Sequence, residues 1–123
     1  MSEALLRAYY AAYNALDADK LGSLLAPDVE LVSAMGTQTG RDAYLGTYHY
    51  MTGQFTDIMT PEAITVEGPT VSVTIHDSLT AKADIADFMG QSLQAGEELV
   101  LRLNGRYTVI DGQIARIEIS PAA

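Results

Sequence analysis

An α+β fold, with helices laid on one face of an antiparallel sheet, follows from two hydropathy patterns and their order along the chain. Apolar side chains recur at helical spacing in the first part of the sequence, and from residue 55 onward they alternate with polar ones at the period of a strand. Turn signals at Glu67-Gly68-Pro69-Thr70 and Asp111-Gly112 divide that second part into hairpins. No internal repeat or low-complexity tract interrupts the order, and 123 residues form a single domain, 1–123, able to bury one core.

Residues 3 to 16 place Leu5, Leu6, Tyr9, Ala12, Tyr13 and Leu16 on one face, with Arg7 and Asn14 opposite, as expected of a surface helix with a buried stripe. Asp17 suits the N-cap of a short second helix whose Leu21, Leu24 and Leu25 share a face, and Pro27 is expected to end it. Val29, Leu31 and Ser33 then alternate as a strand. Thr39 and Asp42 resemble a capping box that opens a third helix from about 40 to 52. Tyr44, Leu45, Tyr48 and Met51 fall on one side of it, His49 lies at the edge, and Tyr50 points away.

Val71, Val73 and Ile75 set the phase of a strand after the first turn, and 97 to 110 with 113 to 119 read as a second antiparallel pair. Asn104-Gly105 could split the longer strand with a hairpin turn, but a bulge or close backbone contact at Gly105 fits the flanking pattern better. Residues 84 to 96 lack a clear period. They are expected to form a loop whose Phe88 and Met89 can cover the mouth of a cavity.

Composition narrows the function classes. Seven Lys and Arg against sixteen Asp and Glu give a formal charge of -9, which repels nucleic acid and anionic lipid. No apolar run approaches the ~20 residues needed to span a bilayer. The first ten residues lack the features of a secretory signal, so a cytoplasmic location is expected. With no cysteine and only His49 and His76, neither a disulfide framework nor a metal site is expected, and nothing in the sequence asks for a cofactor.

The order of helix, "NALDADKLGSLLAPDVEL", turn, "GRDAYLGTYHYM", strands and a final "YTVIDGQIARIEI" resembles the SnoaL-like and ketosteroid-isomerase-like branches of the nuclear transport factor 2-like superfamily over nearly the whole chain. The resemblance implies a cystatin-like cone, a curved antiparallel sheet wrapped around three N-terminal helices, with an apolar pocket inside and dimerisation through the sheet's outer face. It places Tyr9 at the phenol that donates to a developing oxyanion in ketosteroid isomerases. The general-base aspartate of those enzymes falls on Ser33, and their protonated aspartic acid on Gly105 or a neighbour. A serine without an adjacent base does not remove a carbon-bound proton at neutral pH, and glycine has no side-chain donor. The cavity is therefore the inherited feature, more than the reaction.

Strand parity extends the inward face set by the resemblance to Ser33 and Met35, to Leu99, Leu101, Leu103, Gly105 and Tyr107, and to Asp77 beyond Ile75. Asp77 is either an inward carboxylate with a raised pKa or, if a bulge breaks the phase, a solvated one. Tyr9, Tyr13, Tyr44, Tyr48 and Tyr107 either line a pocket with their hydroxyls or pack as core with each hydroxyl tied to backbone. The candidate site is thus catalytic Tyr9 and Asp77, with Tyr13, Ser33, Met35, Tyr44, Tyr48, Leu103 and Tyr107 binding a small, mostly apolar molecule.

Acid/base isomerisation, cyclisation or ring-opening is the chemistry this set suits. A non-catalytic ligand-binding or dimerisation module is the alternative. Water activation of the limonene-epoxide-hydrolase kind would need an Asp-Arg-Asp network, and Arg102 and Arg106 fall on the outward phase. A hydrolytic triad from Ser33, Ser78, His76 and Asp77 lacks a nucleophile elbow. Outward Val100, Thr108 and Ile110, with Ile58 or Tyr50 nearby, predict a homodimer through the outer sheet face.

Overall fold

The computed structural model describes residues 2–34 and 36–122. Helix α1 (Ser2–Asn14) and the short α2 (Ala18–Ser23) lead into strands β1 (Leu25–Ser33) and β2 (Gly36–Thr39), then helix α3 (Arg41–Gln54). Six strands follow: β3 (Phe55–Glu67), β4 (Thr70–Ala81), β5 (Ile85–Phe88), β6 (Gln91–Leu93), β7 (Glu98–Ile110) and β8 (Gln113–Pro121). The main sheet is curved and has six strands in the order β2-β1-β8-β7-β4-β3. It is mixed and not wholly antiparallel as expected, because β1 runs parallel to β8. A parallel pair needs a long crossover, here supplied by everything between the two strands.

Helix α1 stops at Asn14, two residues short of its expected end. Leu16 takes a left-handed φ of 59° while its N–H bonds Tyr13 O and the N–H of Asp17 bonds Ala12 O, which closes the helix as a Schellman motif. Leu16 is consequently 62% exposed and not buried as its helical phase predicted, and Tyr10 joins Leu6, Tyr9, Ala12 and Tyr13 in the core. Asp17 caps α2 as expected, accepting from the Lys20 N–H at 3.1 Å. Pro27 does not end that helix. It lies already within β1, in the stretch between Leu25 and Glu30 where the register with β8 shifts. The expected capping box is also absent: Thr39 pairs with Glu30 in the sheet, and Gly40 with φ 102° is the N-cap of α3.

Both sequence-predicted turns form. Gly68 (φ 58°) and Pro69 link β3 to β4, and the positive φ values of Asp111 and Gly112 link β7 to β8. Asn104-Gly105 is no turn, since β7 pairs with β4 without a register break from Thr108 to Glu98. A Cβ on Gly105 would lie 2.8 Å from Tyr107 Cε1 and 3.0 Å from Ile75 Cδ1, so close packing is what glycine permits there. Residues expected as a loop, 84 to 96, contain the β5–β6 hairpin. Phe88 pins it edge-on to Phe55, with ring centroids 4.8 Å apart.

The main core joins the buried face of α1 to Tyr44 and Tyr48 of α3, Val71, Val73 and Ile75 of β4, Tyr107 of β7, and Ile114 and Ile117 of β8. Asn14 clamps α1 to β3 by giving Nδ2 to Met59 O and taking the Met59 N–H on Oδ1, both at 2.8 Å. Two hydrogen bonds to the backbone of one residue fix the helix in register against the strand that carries Asp57.

Candidate functional site

A cavity of about 540 Å³ opens between the inner sheet face and helices α1 and α3, with Phe88 and Met89 of the hairpin on its wall. Tyr9, Tyr13, Ser33, Tyr44, Tyr48, Asp77, Leu103 and Tyr107 all line it, as parity and helical phase predicted. Met35, the remaining candidate, lies outside the described residues. Leu31, Met51, Met59, Leu101, Ile117 and Ile119 make most of the remaining wall apolar.

Asp77 follows the inward phase. No bulge intervenes on β4 between Ile75 and Asp77, and the residue is only 3% exposed, which excludes a solvated carboxylate. A second acid escaped the sequence reading: Asp57 of β3 is equally buried at 3% and lines the same cavity. The β3–β4 register sets Met59 opposite Asp77 and Asp57 opposite Leu79, so the two carboxylates are diagonal neighbours on the inner face. The alternation of Phe55, Asp57 and Met59 was the available signal.

Tyr13 donates to Asp57 Oδ2 at 2.6 Å. Asp57 Oδ1 and Asp77 Oδ1 are buried and have no hydrogen-bond partner among the described residues. Burial pushes the Asp77 carboxyl up to about 9, and the hydrogen bond and negative charge of Asp57 push in the same direction. Two acids so close do not both ionise readily, and at neutral pH the pair retains one proton.

The phenols are tied mainly to one another and not, as ordinary core packing would have it, each to backbone. Tyr9 and Tyr44 share a hydroxyl–hydroxyl bond, and Tyr10 and Tyr107 form another at 2.7 Å. Tyr48 alone in the cluster donates to a backbone carbonyl, Tyr13 O, at 2.8 Å. Desolvation, the largest cause in each case, raises Tyr9, Tyr13, Tyr44 and Tyr107 well above the ordinary phenol value, so all four are neutral donors at physiological pH. A further hydrogen bond between Tyr9 and Tyr107 joins the two pairs into one chain, Tyr44–Tyr9–Tyr107–Tyr10, in which three protons are used between oxygens and one remains at an end of the chain.

The family model of the SnoaL-like domain matches residues 6–117. The chain belongs to this SnoaL-like family. Solved structures with the same fold include a ketosteroid-isomerase-like protein from Catenulispora acidiphila in complex with trimethylamine, 17% identical with a TM-score of 0.79, the match covering 96% of this chain and 85% of that one. A candidate polyketide cyclase from Sinorhizobium meliloti is 24% identical with a TM-score of 0.75 over 94% and 93% of the two chains. TerC, co-crystallised with polyporic acid, is 19% identical with a TM-score of 0.77 over 96% and 88%. No curated protein matches the sequence.

Neither Ser33 nor Gly105, onto which the resemblance to ketosteroid isomerases maps acids, supplies a carboxyl here. Ser33 lines the cavity, and the space at Gly105 is taken by the Tyr107 ring, which leaves no room for a carboxylic acid. This chain's acids stand instead on β3 and β4. Neither histidine lines the cavity: His49 is exposed, and His76 is half-buried on the opposite face of β4, across from Arg102. Arg102 pairs with Glu62 on the outside, and Arg106 is exposed, so no Asp-Arg-Asp network forms among the described residues. Among those residues no helix is long and apolar enough to cross a membrane.

Proposed function

We propose that this SnoaL-like protein binds a small, mostly apolar molecule in the tyrosine-lined cone and moves a proton between that molecule and the Asp57–Asp77 pair. The observation that carries the reading is two acids, each 3% exposed, on the wall of an otherwise apolar cavity. Burying two carboxyls without a cation costs stability, and such an arrangement is characteristic of sites that handle protons. Asp77, holding the proton, is the acid; Asp57, fixed by the Tyr13 hydroxyl, is the base. When the phenol chain runs from Tyr10 towards Tyr44, its spare proton lies on Tyr44 at the cavity wall and stabilises negative charge developing on a ligand oxygen. Isomerisation, cyclisation and ring-opening each need a proton removed at one ligand atom and one delivered at another, the steps this pair supplies. The complexes of related folds with trimethylamine and polyporic acid support small-molecule binding in a cone of this kind.

Acetophenone, an apolar ketone with exchangeable methyl protons, tests the relay. In D2O the protein is expected to accelerate deuterium incorporation, read by proton NMR, and Asp57→Asn or Asp77→Asn to reduce the rate by ~10²–10⁴-fold. The occupancy of the familiar acid positions by Ser33 and Gly105 favours a second reading, a non-catalytic binding module. Saturable binding of acetophenone without accelerated exchange would select it.

Val100 and Ile110, 44% and 55% exposed on β7, support a homodimer through the outer sheet face. Light scattering at micromolar concentration should give twice the chain mass; a value of 13.2 kDa would remove the proposal.

A further inference from the structure

We infer that the molecule this cavity accepts is an apolar amine, its ammonium group seated between Asp57 Oδ1 and Asp77 Oδ1 and its carbon skeleton against the tyrosine rings. The inference rests on the reading of the cone as a small-molecule site and names the ligand's chemistry. Its starting point is a charge without a counter-charge. Both acids are 3% exposed, both keep an oxygen that bonds nothing among the described residues, and both face the cavity. No Lys, Arg or His is among the described residues lining it. A buried carboxylate stabilised only by a phenol lacks the cation that normally offsets its desolvation.

A neutral carbonyl ligand can accept the one proton the pair holds, but it brings neither a donor for the other oxygen nor positive charge to offset the remaining carboxylate. An ammonium brings both N–H donors and positive charge, and desolvated tyrosine faces add cation–π attraction. The chain's formal charge of -9 draws cations towards the molecule from a distance.

The proton balance is simple. A free-base amine entering the cavity takes the proton the acid pair holds, leaving an ammonium against two carboxylates. An amine arriving already protonated expels that same proton to solvent. The groups facing Asp77 are Asp57 from β3, Tyr13 from α1 and Tyr107 from β7. With the phenols neutral, the acid pair is the group that titrates.

Three probes with one skeleton test this: 1-phenylethylamine, 1-phenylethanol and acetophenone, titrated calorimetrically at pH 7 in phosphate and in Tris. The amine should bind roughly tenfold or more tightly than either neutral probe. Its heat should differ between the buffers by the release of roughly one proton per molecule bound, with no such difference for the other two. Asp77→Asn should abolish the amine's advantage over acetophenone, with folding of the variant read separately from its far-UV circular dichroism. An amine that binds no better than the alcohol, releases no proton, or keeps its advantage in Asp77→Asn overturns the inference. Acetophenone binding with no amine preference overturns it and leaves the proposed function standing, whereas failure of all three probes overturns both.

Discussion

Along the inner face of β4, Val71, Val73 and Ile75 are buried to 3% exposure or less, and two residues further on Asp77 is buried to the same degree. The aliphatic stretch packs beside Tyr107 and Gly105, and the phenol there finds its partner in Tyr10 at 2.7 Å. Asp77 meets Asp57 and the cavity, and each acid keeps an oxygen without a partner. One strand with one parity therefore serves two purposes. Period-two geometry decides which side chains face inward, but depth along the strand decides whether they close a core or line a site. The closed region satisfies its polar atoms internally; the open region defers them to a ligand.

Making the two regions alike should have the largest effect. Asp77→Asn keeps the shape of a protonated acid but cannot ionise. The wild-type carboxyl sits at about 9 when folded, above an ordinary value of 3.8. A folded-state value raised in this way contributes stability that is fully present below pH ~4 and is lost as pH rises towards about 9. The variant escapes that loss. It should gain on the order of 2–4 kcal/mol over wild type at pH 7, since each pH unit of enforced protonation costs ~1.4 kcal/mol. The two proteins should converge near pH 4. Denaturant melts at pH 4.5 and 8 check this: an advantage that fails to grow with pH would mean Asp77 is not held neutral by the fold.

The closed region is attacked separately through Gly105. Gly105→Ala forces a methyl to within 2.8 Å of Tyr107 Cε1 and 3.0 Å of Ile75 Cδ1 without touching either acid. Overpacking at such a position should destabilise by about 1–3 kcal/mol. The pH dependence of stability should keep its wild-type shape. A changed pH profile in this variant would show that the two regions are mechanically coupled.

Much of this division was legible in the sequence. Alternation placed Asp77 and Leu103 inward, turn chemistry placed both hairpins, and helical phase put Tyr9, Tyr13, Tyr44 and Tyr48 on inner faces. Asp57 was obscured for a physical reason: in β3 the polar Asp57 is buried while its neighbour Ile58 is 39% exposed, so hydropathy assigns the two to the wrong sides and masks the alternation from Phe55 to Met59. Leu16 misled because a Schellman closure puts an apolar residue outside the helix whose spacing it continues. The parallel β1–β8 pairing joins strands from opposite ends of the chain, and no local pattern encodes it. The β5–β6 hairpin escaped notice because its strands, four and three residues long, are too short to establish an alternation.

Tyr9 stands at the border between the two regions, and its hydroxyl tests where that border runs. Its ring packs edge-on to Tyr10 of the closed region and to Tyr107, which reaches from that region to the cavity wall, at 5.2 and 5.6 Å between centroids, while its hydroxyl bonds Tyr44 on the same wall. Tyr9→Phe retains the ring and deletes the hydroxyl, which removes the Tyr44 partner and interrupts the phenol chain that supplies the ligand's donor. Stability should fall by only ~0.5–1.5 kcal/mol, and acetophenone affinity by a similar amount, the value of one neutral hydrogen bond. If the phenol chain stabilises developing charge, the deuterium-exchange rate should drop further, by on the order of 2.7–4 kcal/mol in activation free energy. A lowered melt with unchanged affinity and unchanged exchange would assign Tyr9 wholly to the closed region. The carboxylates would then have to work without a phenol at that position.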